Sequence, residues 1–269
     1  MTTCHSSVVQ VESAVKADNK ICIVGSGHVA HHMAHGFHAA GLEIVQVSSR
    51  NATTGRELAA SVQSRYSNSY EVHHSVDVVI IAVSDDAIRE VSADLSVAGT
   101  TVIVHTSGVK PISEIASPAA KGAIWPVYSI RKEQSIDWNK VPFVISAQDT
   151  EVEDTLEGLC RVLSDQVIRV PESARAHLHI AAVFSNNFTT VLYGLAYDYC
   201  QKHNVPFDTL VPLIRQGLEK IAFENPGDLI TGPAARGDLS TVAKHEEMLS
   251  GHPTHREVYR YLTSLILFQ

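Results

Sequence analysis

Short apolar segments alternate with helical segments from residue 20 to residue 108, and this alternation is the feature that most constrains the fold. The apolar segments are rich in Val and Ile, and their lengths are typical of strands. They cover residues 20–25, 43–49, 77–83 and 100–108, and two further segments of this kind follow at 122–129 and 141–147. Strands this apolar are buried on both faces, and strands joined through helices run parallel. The sequence therefore predicts the α/β class, with a Rossmann-type doubly wound parallel sheet.

Helices are predicted between these strands. Beyond residue 170, only helices are predicted. The first group covers residues 28–41, 53–66, 85–95 and 151–163, and a short extended segment follows at 165–170. The second group covers residues 172–203, 207–224, 239–250 and 255–268. We predict a polar N-terminal tail (1–19), a sheet domain (20–170) and an all-α C-terminal domain (171–269).

Charge and composition exclude several classes of function. The formal net charge is -8, and neither nucleic acid nor an anionic membrane surface attracts an acidic protein. No apolar run approaches the ~20 residues that span a bilayer. The first residues lack the basic start and apolar core of a signal peptide, so we expect a cytoplasmic protein. The four cysteines are scattered without a C-x-x-C pair, which favours reduced thiols over a zinc site or disulfides.

A glycine motif stands between the first strand and the first helix. It reads Gly25-Ser26-Gly27-His28-Val29-Ala30. In such a motif the first glycine permits a tight turn and the second lets the backbone approach a pyrophosphate, while the alanine lets the helix pack on the sheet. The N–H groups of the helix start are then available to the anion. The context of strand and helix predicts dinucleotide binding, and the alternative is a similar fold that has lost its ligand.

The second strand ends in Val47-Ser48-Ser49-Arg50-Asn51. NAD sites usually place Asp or Glu here for the ribose hydroxyls, and that carboxylate would repel a 2′-phosphate. Ser48, Ser49 and the Arg50 guanidinium suit a phosphate instead. We predict NADP as the cofactor; the alternative is that Arg50 is a solvated loop residue.

Two further strands end at the same edge of the sheet. In an open parallel sheet, ligands bind beyond the carboxyl ends of the strands, so Ala82, Val83 and Ser84 are predicted to border the cofactor. The other strand ends in His105-Thr106-Ser107-Gly108. His105 could pass a proton to a substrate that Ser107 and Gly108 contact, with Thr106 against the cofactor. The alternative is that Thr106 and Ser107 form a turn and His105 is a structural histidine.

Histidines are concentrated on the first helix, at positions 28, 31, 32, 35 and 38. Such a stripe could bind a transition metal. However, Met33, Ala34 and Phe37 form the side that faces the sheet, so the histidines most simply form the solvent face. We predict no metal site.

Six stretches resemble one protein family, and together they run through nearly the whole chain from residue 20. They are GSGHVA, AVSDDAI, VIVHTSG, WPVYS, AAVFSNNF and LITGPAARGD. The chain resembles a bacterial family described as NADP oxidoreductases, with a Rossmann-like domain and a helical C-terminal domain of unknown function. That family falls in the superfamily of 6-phosphogluconate dehydrogenases, β-hydroxyacid dehydrogenases and pyrroline-5-carboxylate reductases. The resemblance implies the fold, NADP use and a homodimer formed through the C-terminal helices, and it leaves the substrate open.

Two comparisons within the superfamily bear on mechanism. β-Hydroxyacid dehydrogenases carry a proton-donating lysine one turn before an asparagine on the first long helix of the second domain. Here Asn186 and Asn187 are present, but the positions one turn earlier are Ala182 and Val183, so that chemistry cannot simply be transferred. Pyrroline-5-carboxylate reductases grip a carboxylate with a loop similar to residues 230–238. Such a loop is a suitable anion site; the alternative is a plain turn whose helix is capped by Asp238 or Ser240.

These observations predict an NADP-dependent oxidoreductase that transfers a hydride to a C=O or C=N of a small, anionic substrate. His105 is the predicted general acid, and Asn187 is predicted to hydrogen-bond substrate or nicotinamide. The other predicted substrate-binding residues are Ser107, Gly108, Tyr128, Ser129, Thr231, Gly232, Pro233 and Arg236. The competing hypothesis is a non-catalytic dimeric NADP(H) sensor, which the missing lysine favours.

Overall fold

The computed structural model describes residues 19–268, so most of the predicted N-terminal tail lies outside the described residues. Within residues 19–268 the chain forms eight strands. They are β1 (Lys20–Val24), β2 (Glu43–Ser48), β3 (Arg65–Ser67), β4 (Val78–Ile81), β5 (Val102–His105), β6 (Ala120–Pro126), β7 (Phe143–Ala147) and β8 (Val167–Arg169). All of them belong to one sheet with the order β3-β2-β1-β4-β5-β6-β7-β8. The predicted α/β fold with a mostly parallel sheet is confirmed.

The register brings four strand ends to one edge of the sheet. Val24 pairs with Ser48 on one side and with Ile81 on the other, and Ile81 pairs with His105. The chain leaves β1 toward β2 and later returns on the opposite side to β4. This reversal is the switch point at which open α/β sheets bind ligands. Only the β6–β7 pair is antiparallel among the described strands.

Helices cover both faces of the sheet because alternate residues of each strand point in opposite directions. Helical segments within the described residues are α1 (His28–Ala39), α2 (Ala52–Ser61), α3 (Ile88–Ala93), α4 (Thr150–Arg161), α5 (Glu172–Ala182), α6 (Thr189–Lys202), α7 (Val211–Ile221), α8 (Leu239–Met248) and α9 (Pro253–Leu267). On one face, Ile21 and Ile23 pack with Phe37 of α1. On the other face, Cys22 and Val24 pack in the cluster that includes α3.

Two predicted elements differ from the structure by more than their end residues. The predicted helix 53–66 ends earlier, since Arg65 and Tyr66 belong to β3 and pair with Gln46 and Val47. The predicted helix 172–203 is helical throughout, but residues Val183–Phe188 form a π-helical turn between α5 and α6. Such turns insert one residue per turn and shift the faces of the helix that follows.

Residue contacts divide the chain into two compact units, the first ending at Val183 and the second beginning at Phe184. The boundary predicted after residue 170 coincides with the end of the last strand, and as a domain boundary it stays a prediction. The second unit contains α6 to α9. No helix in the described part of the chain has the length and apolarity needed to cross a membrane.

Candidate functional site

The glycine loop between β1 and α1 is shaped by two glycines with different roles. Gly25 has a φ of 122° and donates its N–H to the carbonyl oxygen of Ser48 at 2.8 Å. A Cβ on Gly25 would collide with the carbonyl oxygen of Ala82, whereas a Cβ on Gly27 would meet nothing within 4 Å. Gly25 is therefore required by the fold, and Gly27 leaves open space in front of the helix start.

That space is part of a cleft of about 760 Å³ at the carboxyl edge of the sheet. Every predicted cofactor-binding residue except Ala30 lines it, and Ala30 is buried on the sheet-facing side of α1. The cleft-lining residues that were not predicted are Val24, Asn51, Tyr70 and Ile130. Val24 and Asn51 adjoin predicted positions, but no pattern in the sequence points to Tyr70 or Ile130, which lie in irregular segments.

Hydroxyl groups connect the two sides of this cleft. The Ser26 hydroxyl hydrogen-bonds to the Ser49 hydroxyl at 2.8 Å and to the Thr54 hydroxyl at 2.7 Å. Tyr66 donates to the carbonyl oxygen of Ser49 at 2.9 Å, so the end of β2 is held in place. Within residues 19–268 the exposed Arg50 side chain makes no hydrogen bond or ion pair. Its guanidinium is thus available to an anion in the cleft.

His105 is wholly buried at the end of β5, with no exposed surface. Its Nε2 donates to the carbonyl oxygen of Pro111 at 3.3 Å, and its Nδ1 accepts from the N–H of Ser107 at 3.2 Å. Burial, assisted by the charge of Arg175, lowers the pKa of His105 to about 4. A buried, neutral ring with both nitrogens engaged favours the alternative of a structural histidine. The role of His105 as general acid stays a prediction.

The segment after His105 is a turn held by Arg175. The Ser107 hydroxyl accepts from the N–H groups of Val109 and Lys110 at 3.3 and 3.0 Å. Arg175, on α5, donates to the carbonyl oxygens of Ser107 at 2.5 Å and Lys110 at 2.7 Å, and to the Ser146 hydroxyl at 3.3 Å. Its side chain has no exposed surface. The Ser107 hydroxyl thus supports the turn, and its predicted contact with substrate stays a prediction.

Gly108 packs closely against α5 and β6. A Cβ there would stand 2.5 Å from Cδ2 of His179 and 2.8 Å from the ring of Trp125. The ring centroids of Trp125 and His179 are 5.4 Å apart. Tyr128 and Ser129, farther along the chain from β6, are exposed. His179 was not predicted as a site residue, although its spacing of four from Arg175 places both on one helix face.

The remaining predicted residues belong to the second unit. Asn187 lies in the π-helical turn and is exposed. The loop that contains Thr231, Gly232, Pro233 and Arg236 leads into α8, and Gly232 has a φ of 106°. Asp238 caps α8 by accepting from the N–H of Thr241 at 3.1 Å. Hydrogen bonds from the Thr241 hydroxyl and N–H lower the pKa of Asp238 to about 2. The turn and its cap thus exist, and anion binding by the loop stays a prediction.

The histidines of α1 form a partly exposed stripe. The rings of His31 and His35 lie 4.4 Å apart, and burial followed by the charges of neighbouring histidines lowers the pKa of both. His28 lines the cleft. Among the described residues, no group of three or more His, Cys, Asp or Glu side chains is placed to hold a metal.

A glycine loop at the switch point of a parallel sheet, with a free arginine after the second strand, defines a dinucleotide-binding protein. The family described as NADP oxidoreductase, coenzyme F420-dependent, matches residues 20–108, and a domain of unknown function, DUF2520, matches residues 141–266. A Bacteroides fragilis protein described as a "putative NADP oxidoreductase" is 30% identical, with a TM-score of 0.83 over 94% of this chain and 99% of that one. The chain belongs to this family of NADP oxidoreductases, and the prediction of NADP as the cofactor is confirmed.

More distant solved structures share the fold. An imine reductase from Myxococcus stipitatus in complex with NADP+ is 15% identical, with a TM-score of 0.65 over 92% of both chains. A 1-pyrroline-5-carboxylate reductase from Streptococcus pyogenes is 14% identical, with a TM-score of 0.60 over 93% of this chain and 98% of that one. No functionally curated protein gives a significant match.

The two glycines provide a first prediction. Gly27→Ala should leave the melting temperature nearly unchanged, because the added methyl group has open space, yet weaken NADPH binding at least about tenfold by blocking backbone approach to the pyrophosphate. Gly25→Ala is the matched variant and should lower the free energy of unfolding by about 2 kcal/mol or more, since its methyl group collides with Ala82 at a positive φ. Thermal melts and NADPH fluorescence titrations measure both effects. Unchanged NADPH affinity in Gly27→Ala would contradict the placement of the pyrophosphate.

The burial of His105 provides a prediction about pH. An unfolded histidine binds a proton below about pH 6.5, whereas folded His105 does so only below about pH 4. The folded state therefore binds fewer protons in this window, and the free energy of unfolding falls as the pH falls from about 6.5 to about 4. The loss from this group is on the order of 3 kcal/mol. Urea unfolding of the wild type and His105→Asn across this range should show a flatter profile for the variant, and parallel profiles would refute the burial of a neutral ring.

Proposed function

We propose that the protein is an NADPH-dependent reductase that acts on a C=O or C=N group of a small, anionic substrate. The observation that carries the proposal is the cleft at the switch point, which combines the open space at Gly27 with the free guanidinium of Arg50. Membership of a family of NADP oxidoreductases supports it.

The residues of the cleft fit NADP in both charge and shape. Gly25 and Gly27, with the N–H groups at the start of α1, would hold the pyrophosphate. Ser49 and Arg50 would hold the 2′-phosphate, since hydroxyl and guanidinium donors suit a phosphate dianion. When bound, NADPH supplies the hydride that reduces the substrate.

The substrate is proposed to bind at the edge formed by the ends of β4 and β5. Val83, Ser84 and Thr106 line the cleft there. For the second unit, we propose that Asn187 hydrogen-bonds the substrate or the nicotinamide amide. The loop that contains Thr231 and Arg236 would bind the anionic group, because the exposed guanidinium and the start of α8 both attract anions.

A non-catalytic NADP(H) sensor is the second candidate function. The observation that favours it is the loss of both expected proton donors. Ala182 and Val183 occupy the positions of the lysine, and His105 is buried and neutral. A sensor needs the cofactor cleft but no proton donor at its edge.

We also propose that the protein forms a homodimer through its C-terminal helices and that it is located in the cytoplasm. The second unit exposes many large apolar side chains, for example Phe184 at 63%, Val191 at 60% and Leu213 at 65%. Apolar surface of this extent is typical of a face that another protein covers, and a second copy of the chain is the partner that we propose.

The function is tested by an NADPH-oxidation screen over small keto acids, cyclic imines and aldehydes, run beside an NADPH binding titration. We expect turnover with one class and faster turnover for its carboxylated members, because the proposed anion site adds binding energy. NADPH binding without turnover on any class would favour the sensor, and no NADPH binding would contradict both candidates.

In this proposal, the preference for NADPH over NADH depends on the guanidinium of Arg50. Arg50→Ala should weaken NADPH binding by about ten- to a hundredfold, because a charge-assisted contact with the 2′-phosphate is lost, and leave NADH binding unchanged. Arg65→Ala is the control, since Arg65 is exposed at the opposite, amino-terminal end of its strand. The affinities for both dinucleotides are measured for all three proteins. An equal loss for NADPH and NADH in Arg50→Ala would show that Arg50 does not select the phosphate.

A further inference from the structure

His179 lies beside the turn that follows β5, at the carboxyl edge of the sheet. Its ring is the first group that a Cβ on Gly108 would meet, and it packs against Trp125. Gly108 is only two residues beyond Thr106, which lines the cleft. His179 therefore borders the edge at which the substrate of the proposed reductase would bind.

The position of His179 is fixed by Arg175, one turn earlier on α5. Side chains four residues apart lie on the same face of a helix. Because the Arg175 guanidinium is bound to the carbonyl oxygens of Ser107 and Lys110, this face of α5 is held against the turn. His179 is thereby directed at Gly108, and its ring makes no hydrogen bond with another residue in the described part of the chain.

Four other ionisable groups of this edge are already engaged. His105 uses both ring nitrogens. Lys110 pairs with Asp86 at 3.2 Å, and Glu172 accepts from the N–H of Ile112 at 2.8 Å. Arg175 is bound to carbonyl oxygens and stays charged over the working range of enzymes. Asp85, whose charge acts on both His105 and Arg175, is as a carboxylate an acceptor and has no proton to donate.

In contrast, the ring nitrogens of His179 make no hydrogen bond with another described residue, and the ring is only partly buried. Histidine is also the side chain whose charge ordinarily changes between pH 5 and 8. Among the described groups at this edge, His179 therefore combines proton exchange with access to a ligand.

We propose that His179 is the proton donor of the reductase, an inference that rests on the proposed function. The substrate carbon accepts the hydride with its two electrons from NADPH, which leaves as NADP+. The substrate nitrogen or oxygen then takes one proton from the His179 imidazolium, so that an N–H bond of the ring breaks and a heteroatom–H bond forms. The neutral ring regains its proton from water.

A fluorescence titration tests the placement without turnover. In a Trp138→Phe background Trp125 is the only tryptophan, and its emission should change as the adjacent ring of His179 gains a proton. His179→Gln should abolish this transition, and His177→Gln, an exposed neighbour on the same helix, should keep it. A transition that persists in His179→Gln would show that another group causes it and would overturn the inference.

Kinetics test the proton transfer itself, on the best substrate of the screen. His179→Gln should lower kcat by about 10²- to 10⁴-fold, the usual contribution of a general acid, and leave the Kd for NADPH within about twofold. His177→Gln should match the wild type. The fall in wild-type kcat at alkaline pH should vanish in His179→Gln. An N-methylated cyclic iminium needs no proton, so any turnover of it should survive in His179→Gln.

Three outcomes separate the two proposals. Wild-type protein that binds NADPH but reduces nothing refutes the reductase, and with it the role of His179. If His179→Gln retains full turnover, only the role of His179 as proton donor is refuted, and the reductase proposal stands. If His179→Gln loses kcat equally on the neutral substrate and on the iminium, the role of His179 as proton donor is also refuted. Such a loss shows a structural effect and not a missing proton.

Discussion

The buried guanidinium of Arg175 is the interaction on which the arrangement of this edge depends. Burying a charge is costly unless its donors are satisfied, and here they are satisfied by the carbonyl oxygens of Ser107 and Lys110 and the hydroxyl of Ser146. These hydrogen bonds hold the turn after β5 and helix α5 together. The same charge helps to keep the ring of His105 neutral. The Arg175 side chain thus holds the backbone of the turn beside the cleft and also helps to lower the pKa of His105.

The cleft could be predicted from the sequence because parallel strands separated by helices end at a common edge. Gly25, Ser49 and Ser84 each follow a strand recognisable by its apolar run, and the rules for such sheets place all three together. Tyr70 and Ile130 also line the cleft, but they lie in irregular segments without periodicity, so no local pattern signals their position. β3 was missed for a related reason, since a strand of three residues is too short to show alternation.

The two histidines at this edge show why residue type alone does not assign a catalytic role. His105 stands at the end of a strand, where ligands are expected, yet its side chain points into packed structure and serves the turn. His179 lies on a helix distant in sequence and reaches the same turn because Arg175 and Glu172 hold α5 against it. Burial and register are tertiary properties, which a single sequence does not reveal.

The missing lysine and the presence of His179 are connected through the chemistry of proton donors. A lysine has an ordinary pKa near 10.4, and an enzyme must lower it to obtain a donor matched to neutral pH, whereas histidine titrates there unaided. His179 stands three residues before Ala182, on the helix for which the resemblance to β-hydroxyacid dehydrogenases led us to look for a lysine. The absence of lysine from this helix therefore removes one donor without removing the helix's capacity to supply another. On this argument the lost lysine is weaker support for a sensor than the sequence alone suggests.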